Sequence, residues 1–294
     1  MPFLLISYTM EREEYLQKCG CDVCRGRLMR CAYGSSFTVG TAVMPRDHYA
    51  ALQAEKLCRD APVLGGASNT LPLKEIPLAI VTEHFRGIIP GGAELYVYGG
   101  QSLHSVCAFA AAAGLSGIEE LCGIPGSIGG AAAGNSGCFG RELSDVLVYA
   151  DVGSGGRAER VYAKDAGFSY RKSALKEKGL ILGVMLRLTP SDPEKIRKSM
   201  ELWQKARAAS QPGRPSLGST FKKVGALSAA EYIEKAGFKG AREGGAQVSP
   251  KHAGFIVNTG GGSAEDYFVL AEKVRAGVEK SAGVLLDYEI EILK

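Results

Sequence analysis

Two runs of small residues in this chain of 294 could cradle a phosphate-bearing ligand. Gly65, Gly66, Ala67, Ser68 and Asn69 follow a short apolar stretch, and Gly123 to Gly140 reads GIPGSIGGAAAGNSGCFG, with no charged residue. Glycine supplies positive φ and lets main-chain N–H groups approach a bulky partner, at an entropic cost of roughly 0.5–1 kcal/mol per position. Ser68 and Asn69 would add side-chain donors to such a cradle. Tight sheet packing and ordinary turn formation are the other readings of these runs. Ionic candidates lie in SYRKS at Ser169–Ser173, in GSTFKK at Gly218–Lys223, and at Lys251 and His252. Near the C-terminus, Asp287, Glu289 and Glu291 alternate with Leu286, Tyr288, Ile290 and Ile292, so three carboxylates share one strand face. A solvated outer face would explain them as well.

Cys19, Cys21, Cys24 and Cys31 form C-x-C-x2-C-x6-C, which lacks the paired C-x2-C knuckles of a zinc site. No metal is expected there. Cys58, Cys107, Cys122 and Cys138 sit among hydrophobic neighbours as reduced core thiols. The chain contains no G-x-G-x-x-G after a strand, no G-x4-G-K-[ST], no H-E-x-x-H and no G-x-S-x-G. Rossmann and P-loop chemistry are thereby disfavoured.

Composition sets the outer bounds. A hydrophobic content of 46% marks a globular protein long enough for two domains, and 39 glycines are about twice ordinary usage. The net charge of +4 is spread along the chain with no basic arm, which argues against a nucleic-acid partner. No apolar run approaches the roughly 20 residues of a membrane helix. The opening MPFLLIS has no basic flank and is not read as a signal peptide, so a cytoplasmic protein is expected.

The elements that must position these residues follow from pattern. A short polar helix over 11–18 leads into a cysteine-rich turn. Strands are expected at Ser36–Pro45, Pro77–Thr82, Glu94–Gly99, Glu142–Asp151 and Gly179–Leu188, and a helix at Leu103–Ala113. Ser191 and Glu194 resemble a capping box ahead of a helix to about Ala209, with Ile196, Met200 and Trp203 at helical spacing. Pro212, Gly213 and Pro215 suggest a domain boundary. Ser228 with Glu231 opens a short helix ended by Gly237. Ser263 with Asp266 opens a long one carrying Phe268, Ala271, Val274 and Val278, closed by Gly283.

Taken in order, GGASN, GIPGSIGG with NSGCFG, SYRKS, GSTF, GGAQVSPKHAGFIVN and DYEIEIL resemble the UDP-N-acetylenolpyruvoylglucosamine reductases over residues 36–293. The resemblance implies an α+β fold: an FAD-binding unit of the p-cresol methylhydroxylase/vanillyl-alcohol oxidase type, in two subdomains, followed by a substrate domain. The implied boundaries are 1–84 and 85–209 for the subdomains and 210–283 for the substrate domain, with 284–294 returning to the first subdomain. The family form without an extra substrate loop fits the short interval from Arg171 to Ser219.

The resemblance also implies non-covalent FAD, NADPH as co-substrate, and reduction of UDP-N-acetylglucosamine enolpyruvate to UDP-N-acetylmuramate for peptidoglycan. Gly65, Gly66, Ala67, Ser68 and Asn69, with Gly123, Ile124, Pro125, Gly126, Ser127, Gly129 and Gly130, would line the FAD. Hydride addition to the enolpyruvyl methylene leaves carbanion character delocalised into the carboxylate. Arg171 matches the family arginine that binds that carboxylate, a role suited to a permanently charged, two-toothed guanidinium. Glu289 matches a supporting glutamate, and Ser219 the serine that delivers the proton. Tyr170, Lys222, Lys223 and Lys251 would contact substrate, whereas His252 reads as structural. Two positions depart from the family: Lys223 stands for an asparagine, and Ser210 for a lysine. A monomer without membrane partner is expected. The alternatives are a flavin oxidase of the same fold and a non-catalytic nucleotide-sugar binder.

Overall fold

The structure is a computed structural model that describes residues 11–294. The opening apolar run, and the signal-peptide question with it, lie outside the described residues. The chain divides into two compact units. The first comprises the chain to Arg27, Val39–Gly66 and Pro77–Gln204; the second comprises Leu28–Thr38, Ala67–Ile76 and Lys205–Lys294.

The first unit is built on a five-stranded antiparallel sheet in the order Arg157–Tyr162, Leu147–Ser154, Leu180–Arg187, Glu94–Tyr98, Ile88–Gly91. Alternation along Glu94–Tyr98 sends Leu95 and Val97 into a core shared with Leu103, Val106 and Ala110 of the helix Leu103–Ala112. Tyr96 and Tyr98 point to the other face, against His48 of the helix His48–Leu57. The central strand Leu180–Arg187 therefore buries both faces: Leu180 and Leu182 join one core, Val184 and Leu186 the other. That is why it reads as a continuous apolar run instead of an alternating one. A four-stranded sheet, most of whose residues belong to this unit, orders Cys21–Arg30, Ser36–Pro45, Ile76–Val81 and Val63–Leu64.

In the second unit, Ser216–Ser219, Phe255–Asn258, Ala246–Val248 and Arg242–Glu243 form an antiparallel sheet. The helix Ala264–Ala282 packs Tyr267, Leu270, Ala271, Val274 and Val278 into the core, starts at the expected Ser263/Asp266 capping box, and ends at Gly283 with φ +65°. Glu291–Leu293 pairs in parallel with Thr70–Pro72.

Several expectations need correction. The cysteine-rich turn is instead the strand Cys21–Arg30, whose residue types are mixed because only Cys21 is buried and the rest are half-buried or exposed. The helix Pro193–Ser210 is begun by Asp192, whose Oδ1 accepts from Glu194 N at 2.9 Å; Ser191 N instead donates to Gly114 O. The strand expected from Glu142 starts at Leu147, after a single turn of 3-10 helix over Leu143–Asp145. Phe268 is only half-buried on its helix, where Lys294 lies over its ring. Trp203 leaves the apolar stripe of its helix to stack on Phe139, with ring centroids 4.9 Å apart.

Candidate active site

Within the first unit Gly65 and Gly66, which open the first small-residue run, lie against the second run. A Cβ on Gly65 would lie 2.5 Å from Ser127 Oγ, and one on Gly66 would lie 3.3 Å from Gly126 Cα. Gly65 thus faces the Ser127 side chain, and Gly66 brings backbone against the Gly126 backbone, which leaves no room for a larger residue at position 65. Sequence gave no sign that Gly123–Gly140 contains a short helix, Ile128–Ala133, capped by Ser127, whose Oγ accepts from Gly130 N at 3.2 Å. Ile128 N donates to Gln101 O and Gly129 N to Gly99 O, each at 2.8 Å. The helix start is thus knitted to the turn after strand Glu94–Tyr98, and Gly129 is needed because its Cβ would sit 2.8 Å from Gly99 O. Gly99, expected only as the end of a strand, and Gly100 form a glycine pair, which is a signal of close backbone approach. Small residues on both runs keep bulky side chains out of the strip between them and Ser127 places a hydroxyl there, a setting compatible with a dinucleotide's pyrophosphate, although the Ile128, Gly129 and Gly130 N–H groups are already spent on protein acceptors.

Arg171 also belongs to the first unit. Ser169 and Lys172 exchange backbone hydrogen bonds of 3.0 and 3.1 Å, so Tyr170 and Arg171 form the tip of a two-residue turn. Arg171 has φ +56°, a conformation that costs a non-glycine residue about 1–2 kcal/mol. Its Nη1 donates to Gly137 O at 3.0 Å, which ties the arginine to the C-terminal half of the glycine run. The exposed Tyr170 ring lies 5.3 Å from the guanidinium carbon.

The second unit holds Ser219 and Glu289 on hydrogen-bonded neighbouring segments. Glu289 N donates to Thr220 O at 2.9 Å, Lys222 N donates to Asp287 O at 2.8 Å, and Phe221 stacks on Tyr288 between them. Ser219 pairs with Phe255 beside a bulge in the strand, a distortion that re-aims a side chain. Thr220 Oγ1 is 2.8 Å from the hydroxyl of the fully buried Tyr267, which anchors the serine's segment. Burial pushes the Tyr267 phenol up, so that hydroxyl stays protonated. Asn69 joins this group: its Nδ2 donates to Glu289 O at 3.0 Å, and its carbonyl accepts from Glu291 N. Of the three alternating acids, Asp287 and Glu291 are exposed and Glu289 is half-buried. Neighbouring Tyr288 is pushed up by burial and by the Glu272 carboxylate that its hydroxyl donates to.

The remaining candidates differ in placement. Lys222 is half-buried and Lys223 exposed. Lys251 Nζ donates to Ala208 O, near the C-terminal end of the helix Pro193–Ser210. His252 accepts from Gly254 N at its Nδ1, packs edge-on to Phe255, and is held below the usual imidazole range by burial, in keeping with a structural role. Among the described residues no group of three or more His, Cys, Asp or Glu could hold a metal ion.

Residues 211–293 match the family model described as UDP-N-acetylenolpyruvoylglucosamine reductase, C-terminal domain. The reductase of that name from Carboxydothermus hydrogenoformans is 38% identical over 245 residues, 79% of this chain and 78% of that protein. The one from Thermotoga strain RQ2 is 36% identical over 290 residues, 95% of this chain and 96% of that protein. The crystal structure of the Thermus caldophilus reductase superposes with a TM-score of 0.80 at 31% identity, covering 93% of this chain and all of that one. The expected α+β fold is therefore that of a solved relative over its whole length, and the chain belongs to the UDP-N-acetylenolpyruvoylglucosamine reductase family.

Proposed function

We propose that the protein reduces the enolpyruvyl ether of UDP-N-acetylglucosamine to UDP-N-acetylmuramate, with FAD as cofactor and NADPH as reductant. When bound, FAD would supply the hydride, drawn from NADPH, that the substrate's methylene carbon needs. Gly65 to Asn69 and Gly123 to Gly130 would hold the cofactor along the strip between them. The Arg171 guanidinium would bind the enolpyruvyl carboxylate and stabilise the charge that develops there. Ser219 Oγ would give its proton to the adjacent carbon, with Glu289 hydrogen-bonded nearby in support. Tyr170, Lys222, Lys223 and Lys251 would contact the nucleotide sugar, Lys251 after releasing the Ala208 carbonyl.

The observation that carries this reading is the pairing of Thr220 with Glu289, which sets Ser219 and Glu289 on adjacent backbone although 70 positions apart in sequence. Relatives that are reductases over nearly the whole length leave the oxidase and non-catalytic alternatives without support. Residues 1–84 and 85–209 would form the two FAD subdomains and 210–283 the substrate domain, with 284–294 returning to the first. A monomer in the cytoplasm, where both NADPH and nucleotide sugars are found, completes the reading.

An anaerobic absorbance spectrum tests it. Yellow protein should bleach with NADPH and regain colour on adding the enolpyruvyl nucleotide sugar. Colourless protein that FAD cannot reconstitute, or a reduced flavin indifferent to that sugar, would refute it.

A further inference from the structure

Asn135 has no part in the reading above, yet it holds the turn that carries Arg171. It is fully buried, with φ +42°. Its Nδ2 donates to Ser169 O at 3.2 Å and to Glu142 Oε2 at 2.7 Å, while its Oδ1 accepts from Ser144 N at 3.1 Å. Ser169 O is also the acceptor that closes the Tyr170–Arg171 turn, from Lys172 N. On the far side of that turn, Ser173 Oγ lies 2.9 Å from both Ala132 O and Ala133 O. The run 132–137 therefore grips the turn at Ser169, at Arg171 and at Ser173.

A left-handed arginine persists only where its surroundings over-determine it. An amide suits the grip, because its two N–H groups diverge towards a carbonyl and a carboxylate, which an aspartate could not supply. We infer that Asn135 is a positioning residue: by fixing the Ser169 carbonyl it sets the direction in which the Arg171 guanidinium leaves the turn. The inference rests on the assignment of Arg171 to the substrate carboxylate.

The test uses the holoenzyme and four variants: Asn135→Gly, which tolerates the backbone angle; Asn135→Asp, which keeps size and acceptor but loses the donor; Arg171→Ala; and the double variant Asn135→Gly/Arg171→Ala. Calorimetry measures Kd for the enolpyruvyl nucleotide sugar and for UDP-N-acetylglucosamine, which has no carboxylate. Rapid mixing measures flavin reduction by NADPH and reoxidation by substrate. Both Asn135 variants should weaken the enolpyruvyl sugar about 10-fold and slow reoxidation about 100-fold. UDP-N-acetylglucosamine binding and NADPH reduction should stay within about twofold. On the Arg171→Ala background, Asn135→Gly should add less than about twofold, because the two act as a unit.

A full additional penalty on that background, equal weakening of both sugars, or failure of both Asn135 variants to fold would reduce Asn135 to a folding residue and overturn the inference. Normal binding and reoxidation in Arg171→Ala would instead refute the arginine assignment itself, and the inference with it.

Discussion

Ser219, Arg171 and Glu289 each have a bland explanation in sequence, as turn, surface and strand residues, and it is their local settings that separate them from their neighbours. Arg171 occupies a left-handed turn position, Ser219 sits beside a strand bulge, and Glu289 is half-buried between two exposed acids. Periodicity had placed Glu289 with Asp287 and Glu291 on one face, and nothing in the alternation could rank them. A serine hydroxyl is a weak acid and acts only from a position beside the carbon it protonates. Ser219→Ala should leave flavin reduction by NADPH intact and slow reoxidation by substrate roughly 10²–10⁴-fold, measured by rapid mixing. Equal losses in both half-reactions would remove the proton-donor role.

At the scale of elements, the glycine run is both a packing device and a candidate cradle. The helix Ile128–Ala133 can approach the turn at Gly99 only without a Cβ at position 129. Gly129→Ala would press a methyl group against a backbone carbonyl that cannot move aside, an overpacking worth about 1–3 kcal/mol. We expect a lower melting temperature and FAD lost on gel filtration. Gly130→Ala is the control for stability: its Cβ would meet Ser127 Oγ at 3.4 Å, and alanine improves helix propensity, so the flavin-free protein should melt no lower than the parent. Equal melting of the two variants would show that close packing at Gly99 does not matter.

For the whole molecule, stability should fall on the acid side. Burial lowers the pKa of His48 and of His252, so between their folded values and the ordinary imidazole value, about 6.5, the unfolded chain binds more protons. Their contribution is complete above that value, declines as pH drops through the window, and levels off below the folded values. Asp266 acts in the same direction at lower pH, since the Ser263 and Gly245 N–H groups hold its carboxyl below the usual carboxylate range. Calorimetric melting temperatures should be flat from pH 8 to 7 and fall below about pH 6.5, with His48→Gln removing part of the fall. An unchanged melting temperature down to pH 5 would mean that these rings are not held neutral.

The sequence by itself determined the class, the family resemblance and the elements whose signals are local. Ser36–Pro45 keeps its expected bounds because β-branched residues and a closing proline mark it, and the long helix starts at Ser263 because capping is a contact across three positions. The two small-residue runs were legible because a close approach restricts residue type wherever it occurs. Tertiary structure alone decided what depends on distant chain. It laid Gly65 against Ser127, set Thr220 beside Glu289, and placed Asn135 under the Arg171 turn. The last two pairings join segments that carry no mark of their partner, because a hydrogen bond to a backbone atom imposes no residue type on the acceptor; the first left a mark in its glycine but not the identity of what lies against it.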